Sequence, residues 1–193
     1  RGINRLRDGS VAECLVQESI CPVLVAARPR NKPPETERFE PPVMKTVLLA
    51  TDFSRNSDRA LTYALRWAAQ WSARLTLVHT VETGSRAMQT VTDLLPESDP
   101  GREHRIREAW EKLRTLIPDP THVHCQLDHE VRDGDPREQI LQCAVERKAD
   151  LIVMGARGLG RSSLTHPFAW GSTLSGVTRD GRFPVLAIRH LGC

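Results

Sequence analysis

Short apolar runs alternate with amphipathic stretches from Lys45 onward. Val47-Leu48-Leu49-Ala50 has no polar interruption, the pattern of a strand buried on both faces, and it ends in Thr51-Asp52-Phe53-Ser54. Ala60, Leu61, Ala64, Leu65 and Ala68 then recur at helical spacing, with Ser57 as the expected N-cap. Leu75 to Val78 reads as a second strand, and the polar segment from about 83 to 101, with Pro96 and Pro100, as a mobile loop. Ile106, Trp110, Leu113 and Ile117 mark one face of a helix, and a strand is expected near Val123 to Val131. After Gly134-Asp135-Pro136, the residues Ile140, Leu141, Ala144 and Val145 define another amphipathic helix, with Pro136 in its first turn. Leu151-Ile152-Val153-Met154 is a buried strand, followed by a helix over about Ser172 to Arg179 and a strand over Val185 to Ile188.

Five strands alternating with four helices require right-handed crossovers. The expected fold is therefore α/β: a doubly wound five-stranded parallel sheet with helices on both faces. Ligands of such sheets bind beyond the carboxyl ends of the strands, where the winding direction switches. Two segments fall there, Asp52 after the first strand and Gly155-Ala156-Arg157-Gly158-Leu159-Gly160-Arg161-Ser162-Ser163 after the fourth. Glycines let a backbone approach a ligand closely, and a helix starting near Gly171-Ser172 offers free N–H groups to a phosphate. A carboxylate after strand one accepts hydrogen bonds from a ribose hydroxyl or an adenine amine. Together they describe a nucleotide site.

Each residue also has a plainer reading. Asp52 alone serves equally as a turn former or helix cap. The glycine run is neither the dinucleotide fingerprint, since it does not follow the first strand, nor a P-loop, since it lacks GxxxxGK[ST]. Arg157 and Arg161 pair with phosphate or, equally, with solvent, Asp133 or Asp135. His122, His124, Cys125 and His129 hold metal-ligand chemistry in a short span, with His122 and His124 on one strand face and Cys125 on the other. The plainer reading is an edge strand with solvated imidazoles, and no metal site is expected. No Ser/His/Asp or Cys/His set converges on the glycine run, so no catalytic residues are assigned.

One ending occurs twice. Gly9-Ser10 leads through an amphipathic stretch to Pro22-Val23-Leu24, and Gly171-Ser172 leads at the same spacing to Pro184-Val185-Leu186. Such a repeat points to two related domains, the first represented only by its tail. Residues 1–30 then form a helix-strand remnant, 31–43 a Pro-rich linker and 44–193 a complete domain. The tail strand, Val23 to Ala27, is expected to lie against Val185 to Ile188, either within the chain or in a homodimer.

Composition narrows the partners. With 193 residues, 39% of them apolar, the chain suits one core. Its 27 basic and 24 acidic residues are interspersed, and the net charge of +3 forms no stripe for nucleic acid. Five scattered cysteines without CxxC spacing argue against a disulfide framework or zinc ribbon and for a reducing, cytoplasmic location. No run reaches the ~20 apolar residues of a membrane span, and no apolar signal-peptide core stands at the start.

Thr51-Asp52-Phe53-Ser54, Leu77-Val78-His79, Gly134-x-Pro136, Met154-Gly155-x-x-Gly158, Gly171-Ser172 and Pro184-Val185-Leu186 stand in the order found in the universal stress protein family. The chain resembles that family from Met44 to Arg189, and residues 8 to 30 resemble the end of a second such domain, as in tandem members. The resemblance implies an adenine nucleotide alpha hydrolase-like fold and a cytoplasmic stress-response module that binds ATP or a related adenine nucleotide, with Mg2+ as its companion ion. It implies that Asp52, beside Ala50 and Thr51, meets adenosine and that Thr80 and Met154 border the base or ribose. Gly155, Arg157, Gly158, Gly171, Ser172 and Thr173 would hold the phosphates. The sequence departs from the family in one place: twelve residues separate Gly158 from Gly171, where the nucleotide-binding pattern has nine. Leu159 to Trp170 must bulge or take another route, with Phe168 and Trp170 covering the site or simply packing. Two alternatives follow, an interaction module of the same fold without nucleotide and a slow ATPase.

Overall fold

A strand without a polar face needs cover on both sides, and the sheet at the centre of this molecule supplies four such strands. The computed structural model describes residues 15, 19–27, 43–82, 100–117, 123–158 and 172–189. In chain order these form β1 (Val23–Val25), β2 (Thr46–Ala50), α1 (Arg55–Trp71), β3 (Arg74–Val81), α2 (Pro100–Thr115), β4 (Leu127–Asp133), α3 (Pro136–Glu146), β5 (Leu151–Gly155), α4 (Ser172–Asp180) and β6 (Val185–Ile188). One sheet holds all six described strands in the order β1-β6-β5-β2-β3-β4. The five strands from β2 to β6 are mutually parallel, as the alternation of elements demands.

Side-chain alternation divides the core in two. Val47, Leu49, Leu75, Leu77, Leu151 and Val153 face α1 and α2, where Ala60, Ala64, Ala68, Leu113 and Ile117 meet them. Leu48, Ala50, Val78, Ile152 and Met154 face α3 and α4, against Ile140, Leu141, Ala144, Leu174 and Val177. The buried stripe of α1 is Ser57, Ala60, Ala64 and Ala68, all small. It brings the helix axis close to the sheet, and the helix begins directly over the end of β5. A Cβ placed on Gly155 would stand 2.9 Å from Asn56 Cβ and 3.0 Å from the Ser57 amide nitrogen, so only glycine fits there. At the opposite edge of the sheet, Asp150 Oδ2 accepts the Lys45 and Thr46 amides at 2.7 and 2.9 Å, joining the starts of β2 and β5.

Several local expectations are corrected. Ser54, not Ser57, caps α1: its hydroxyl accepts the Ser57 amide, while Ser57 is turned into the core. Pro100 and Gly101 belong to α2 rather than to the preceding loop, because Pro is suited to a helix's first turn. The strand expected near Val123 to Val131 is β4 and spans Leu127–Asp133. Its start is set by β3, with Leu75 opposite Leu127 and the Leu75 amide bonded to the Gln126 carbonyl. His124 and Cys125 therefore precede the strand and do not alternate across it. Gly134 holds the turn into α3 at φ 126°, a backbone region that favours glycine, and Asp135 caps that helix through the Glu138 amide at 3.0 Å. Residues 1–14, 28–42, 83–99 and 159–171 carry the first Gly-Ser pair, most of the linker, most of the loop and the segment with Phe168 and Trp170, and they lie outside the described residues.

The two sheet edges are finished differently. On β4, Glu130 and Arg132 point under α3, where Arg132 also pairs with Glu146 and Glu130 with Arg147. The Cys143 thiol donates to Glu130 Oε2 at 3.2 Å, and burial first, then this carboxylate, pushes its pKa up to about 12. It is a packed thiol without thiolate character at neutral pH. On the other side β1 pairs antiparallel with β6, setting Val23, Leu24 and Val25 opposite Ala187, Leu186 and Val185. The expected strand contact thus forms within the chain.

Two outcomes follow from this packing. Gly155→Ala is expected to cost about 1–3 kcal/mol of stability through overpacking against α1, read as a lowered urea midpoint; an unchanged midpoint would show that the helix start yields freely. Removal of residues 1–40 exposes the outer N–H and C=O groups of β6 and should raise self-association in sedimentation velocity. Unaltered sedimentation would show that β1 does not protect that edge.

Candidate functional site

From β2 the chain moves through α1 to β3 on one side, and from β5 through α4 to β6 on the other. The carboxyl ends of β2 and β5 are neighbours and form the topological switch point, the crevice where sheets of this kind bind ligands. Each crossover helix runs back along the sheet, so α1 and α4 present their N-termini at this same edge.

The turn after β2 is held by its own polar groups. The Thr51 amide donates to the Val78 carbonyl at 2.9 Å, and Thr51 Oγ1 accepts the Phe53 amide at 3.1 Å while donating to Ser57 Oγ at 3.2 Å. Asp52 Oδ1 accepts the Ser54 amide at 3.1 Å. Phe53 adopts φ 60°, a left-handed conformation that a bulky residue takes only when its surroundings enforce it. The Ser54 hydroxyl faces the Arg157 carbonyl at 3.4 Å and links this turn to the loop after β5. The plain role for Asp52, a turn former, is thus real, and its carboxylate sits half-buried at the crevice. A fixed carboxylate of this kind accepts hydrogen bonds from a ligand's hydroxyl or amine.

Across the crevice, the Ala156 amide donates to the Ile188 carbonyl at 2.7 Å and starts the loop that carries Arg157 and Gly158, both half-buried. Burial first, and the nearby Arg189 guanidinium second, hold the Arg157 pKa below its ordinary value. Two neighbouring cations constitute an anion-attracting wall. Asp133 and Asp135, the other partners considered for Arg157, are engaged by Arg102 at 2.5 Å and by the start of α3.

The remaining predicted residues are distributed unevenly. Ala50, Thr51, Asp52, Gly155, Arg157 and Gly158 surround the switch point. Ala50 and Met154 are register partners, and both are almost wholly buried in the α3/α4 core, so either offers a ligand little more than an edge. Thr80 is half-buried on β3, on the same sheet face as Val78, with Arg132 as its register partner. Ser172, exposed, and Thr173, half-buried, open α4 at the carboxyl edge. Gly171 and Arg161 lie outside the described residues. Gly155 is required by the approach of Asn56 and Ser57 as well as by any ligand. Among the described residues no group of three or more His, Cys, Asp or Glu is arranged to hold a metal ion, and no helix is long and apolar enough to cross a membrane.

One residue at the site carries a role that sequence reading did not assign. His79 Nδ1 lies 2.8 Å from the Thr51 carbonyl, and its ring lies against Phe53 with centroids 4.4 Å apart and planes tilted by 38°. Desolvation by burial holds its pKa below 6.5 against the opposing pull of the Thr51 carbonyl and Asp52. Its signals were its place in the Leu77-Val78-His79 motif and an imidazole on the strand face shared with Leu75 and Leu77.

The universal stress protein family matches residues 44–189. A universal stress protein encoded in the 3′ region of a QAH/OAS sulfhydrylase in Thermus aquaticus is 37% identical over 149 residues, covering 76% of this chain and 100% of its own. The crystal structure of a universal stress protein from Archaeoglobus fulgidus DSM 4304 superposes with a TM-score of 0.58 at 24% identity, over 97% of this chain and 56% of that one. The universal stress protein from Archaeoglobus fulgidus in complex with dAMP superposes with a TM-score of 0.53 at 21% identity, over 76% of this chain and 98% of that one. With a UspA-like sheet, the family's motifs at its carboxyl edge and a match across most of its length, this chain belongs to the universal stress protein family.

Proposed function

We propose that the crevice between Asp52 and Arg157 binds an adenine nucleotide, ATP foremost, and that occupancy of this one site regulates the protein's partners in a cytoplasmic stress response. The observation that carries the reading is the pairing of opposite chemistries across one switch point: a carboxylate acceptor on the β2 turn, and two neighbouring arginines, Arg157 and Arg189, on the far side. In this reading Asp52 accepts from a ribose hydroxyl or the adenine amine, with Ala50, Thr51, Thr80 and Met154 bordering base or ribose. Gly155, Arg157, Gly158, Gly171, Ser172 and Thr173 meet the phosphates, whose charge offsets the repulsion between Arg157 and Arg189. The dAMP complex of the Archaeoglobus fulgidus protein supports an adenine ligand for this sheet. Mg2+ would enter on the phosphates, since the described residues contain no ligand cluster for it.

The N-terminal strand supports a second element of the proposal. Residues 1–30 are the tail of a second domain of the same family, 31–43 a linker and 44–193 the nucleotide-binding domain. Pairing of β1 with β6, and superposition on 56% of a longer universal stress protein chain, support this organisation. β1 then occupies the edge through which two chains would otherwise pair.

Calorimetric titration with ATP and Mg2+, beside Asp52→Ala and a GTP control, tests the reading. Saturable binding at one site per chain is expected, weakened about tenfold or more in the variant by loss of a charge-assisted acceptor. Absence of binding in nucleotide-free protein would discard the nucleotide site and favour the interaction module. Phosphate release during the titration would instead show a slow ATPase.

A further inference from the structure

We infer that His79 is the positioning residue of the nucleotide site: its Nδ1–H and ring clamp the Thr51-Asp52-Phe53 turn and so aim the Asp52 carboxylate into the crevice. The inference rests on the proposed nucleotide site for its binding readout alone. Its structural content stands on the geometry of the turn.

A carbonyl only accepts, so the 2.8 Å contact with the Thr51 oxygen requires the proton on Nδ1. In the neutral ring Nε2 is then the acceptor, and the tautomer is fixed by the backbone. Thr51 is held from both ends, its amide by Val78 and its carbonyl by His79, adjacent residues of β3. Phe53 follows in a left-handed conformation that is unfavourable for a side chain of this size. Its ring rests on the imidazole, which gives this unfavourable backbone a packing partner. Between those two anchored residues stands Asp52, whose Oδ1 receives the Ser54 amide. β3 thus reaches across to orient a carboxylate that belongs to the β2 turn.

The charged groups acting on His79 are Asp52 from the turn and Lys112 from α2, the latter paired with Glu108 at 2.6 Å. Burial outweighs Asp52 and keeps the ring neutral at neutral pH. Because the folded pKa is depressed, this contribution to stability is fully present above about pH 6.5 and is lost as the pH falls below it.

Substitution separates the clamp from mere filling of space. Asn places an amide N–H at the position of Nδ1, Gln places one at the position of Nε2, and Leu keeps volume without a donor. His79→Gln and His79→Leu are expected to weaken ATP binding about tenfold and to speed amide exchange at Phe53 and Ser54, while His79→Asn restores most of both. The 15N spectrum of the wild-type imidazole should show the Nδ1–H tautomer. Equal behaviour of the Asn and Gln variants, or an Nε2–H tautomer, would overturn the inference. Should wild-type protein bind no ATP, the nucleotide reading fails, and the tautomer and amide exchange still decide the role of His79.

Discussion

Ser57, Ala60, Ala64 and Ala68 turn a face of small side chains toward the sheet, and Gly155 receives the start of that helix without a side chain of its own. This close approach of α1 to β5 is the constraint from which the carboxyl edge takes its form. Because the helix starts over the end of β5, the connection from β2 has to turn within four residues, Thr51 to Ser54. That tight turn demands the left-handed Phe53, the hydroxyl bonds of Thr51, Ser54 and Ser57, and the backbone anchor from His79. Larger side chains on α1 would lift it from the sheet and relax the turn, and the carboxylate of Asp52 would lose its fixed direction.

The polar groups at this edge have dual duties. Asp52 stabilises the backbone through the Ser54 amide while its carboxylate stays at the crevice, and Ser54 caps α1 while facing the loop of Arg157. Such sharing couples local stability to site geometry. It also distinguishes the crevice from another polar network, the ion pairs of Glu130 and Arg132 beneath α3. There the charges are paired with each other and with Glu146 and Arg147, the thiol of Cys143 is engaged, and the arrangement finishes an edge strand.

The opposite edge is closed by the chain itself. Three residues of β1 cover β6, and Leu24 remains half-exposed on the outside of the pair. A strand this short adds little burial. Its effect is to satisfy backbone groups that would otherwise be available to another strand.

Periodicity alone determined the order of elements from β2 to β6, because uninterrupted apolar runs such as Val47 to Ala50 and Leu151 to Met154 are stable only when covered on both faces, which in turn requires parallel strands and helical crossovers. The repeated Pro-Val-Leu marked β1 as a strand and named its partner. Asp52 and the glycine run were legible as switch-point residues for the same topological reason. Tertiary structure decided what depends on contacts distant in sequence: the antiparallel direction of β1, the start of β4 at the register set by β3, and Ser54 rather than Ser57 as the cap. The need for glycine at 155 came from the approach of Asn56, and the anchor of the Thr51 carbonyl from a histidine 28 residues further along the chain. Sequence patterns record which residues must be buried. Which groups then meet at the crevice is set by how closely the buried faces pack.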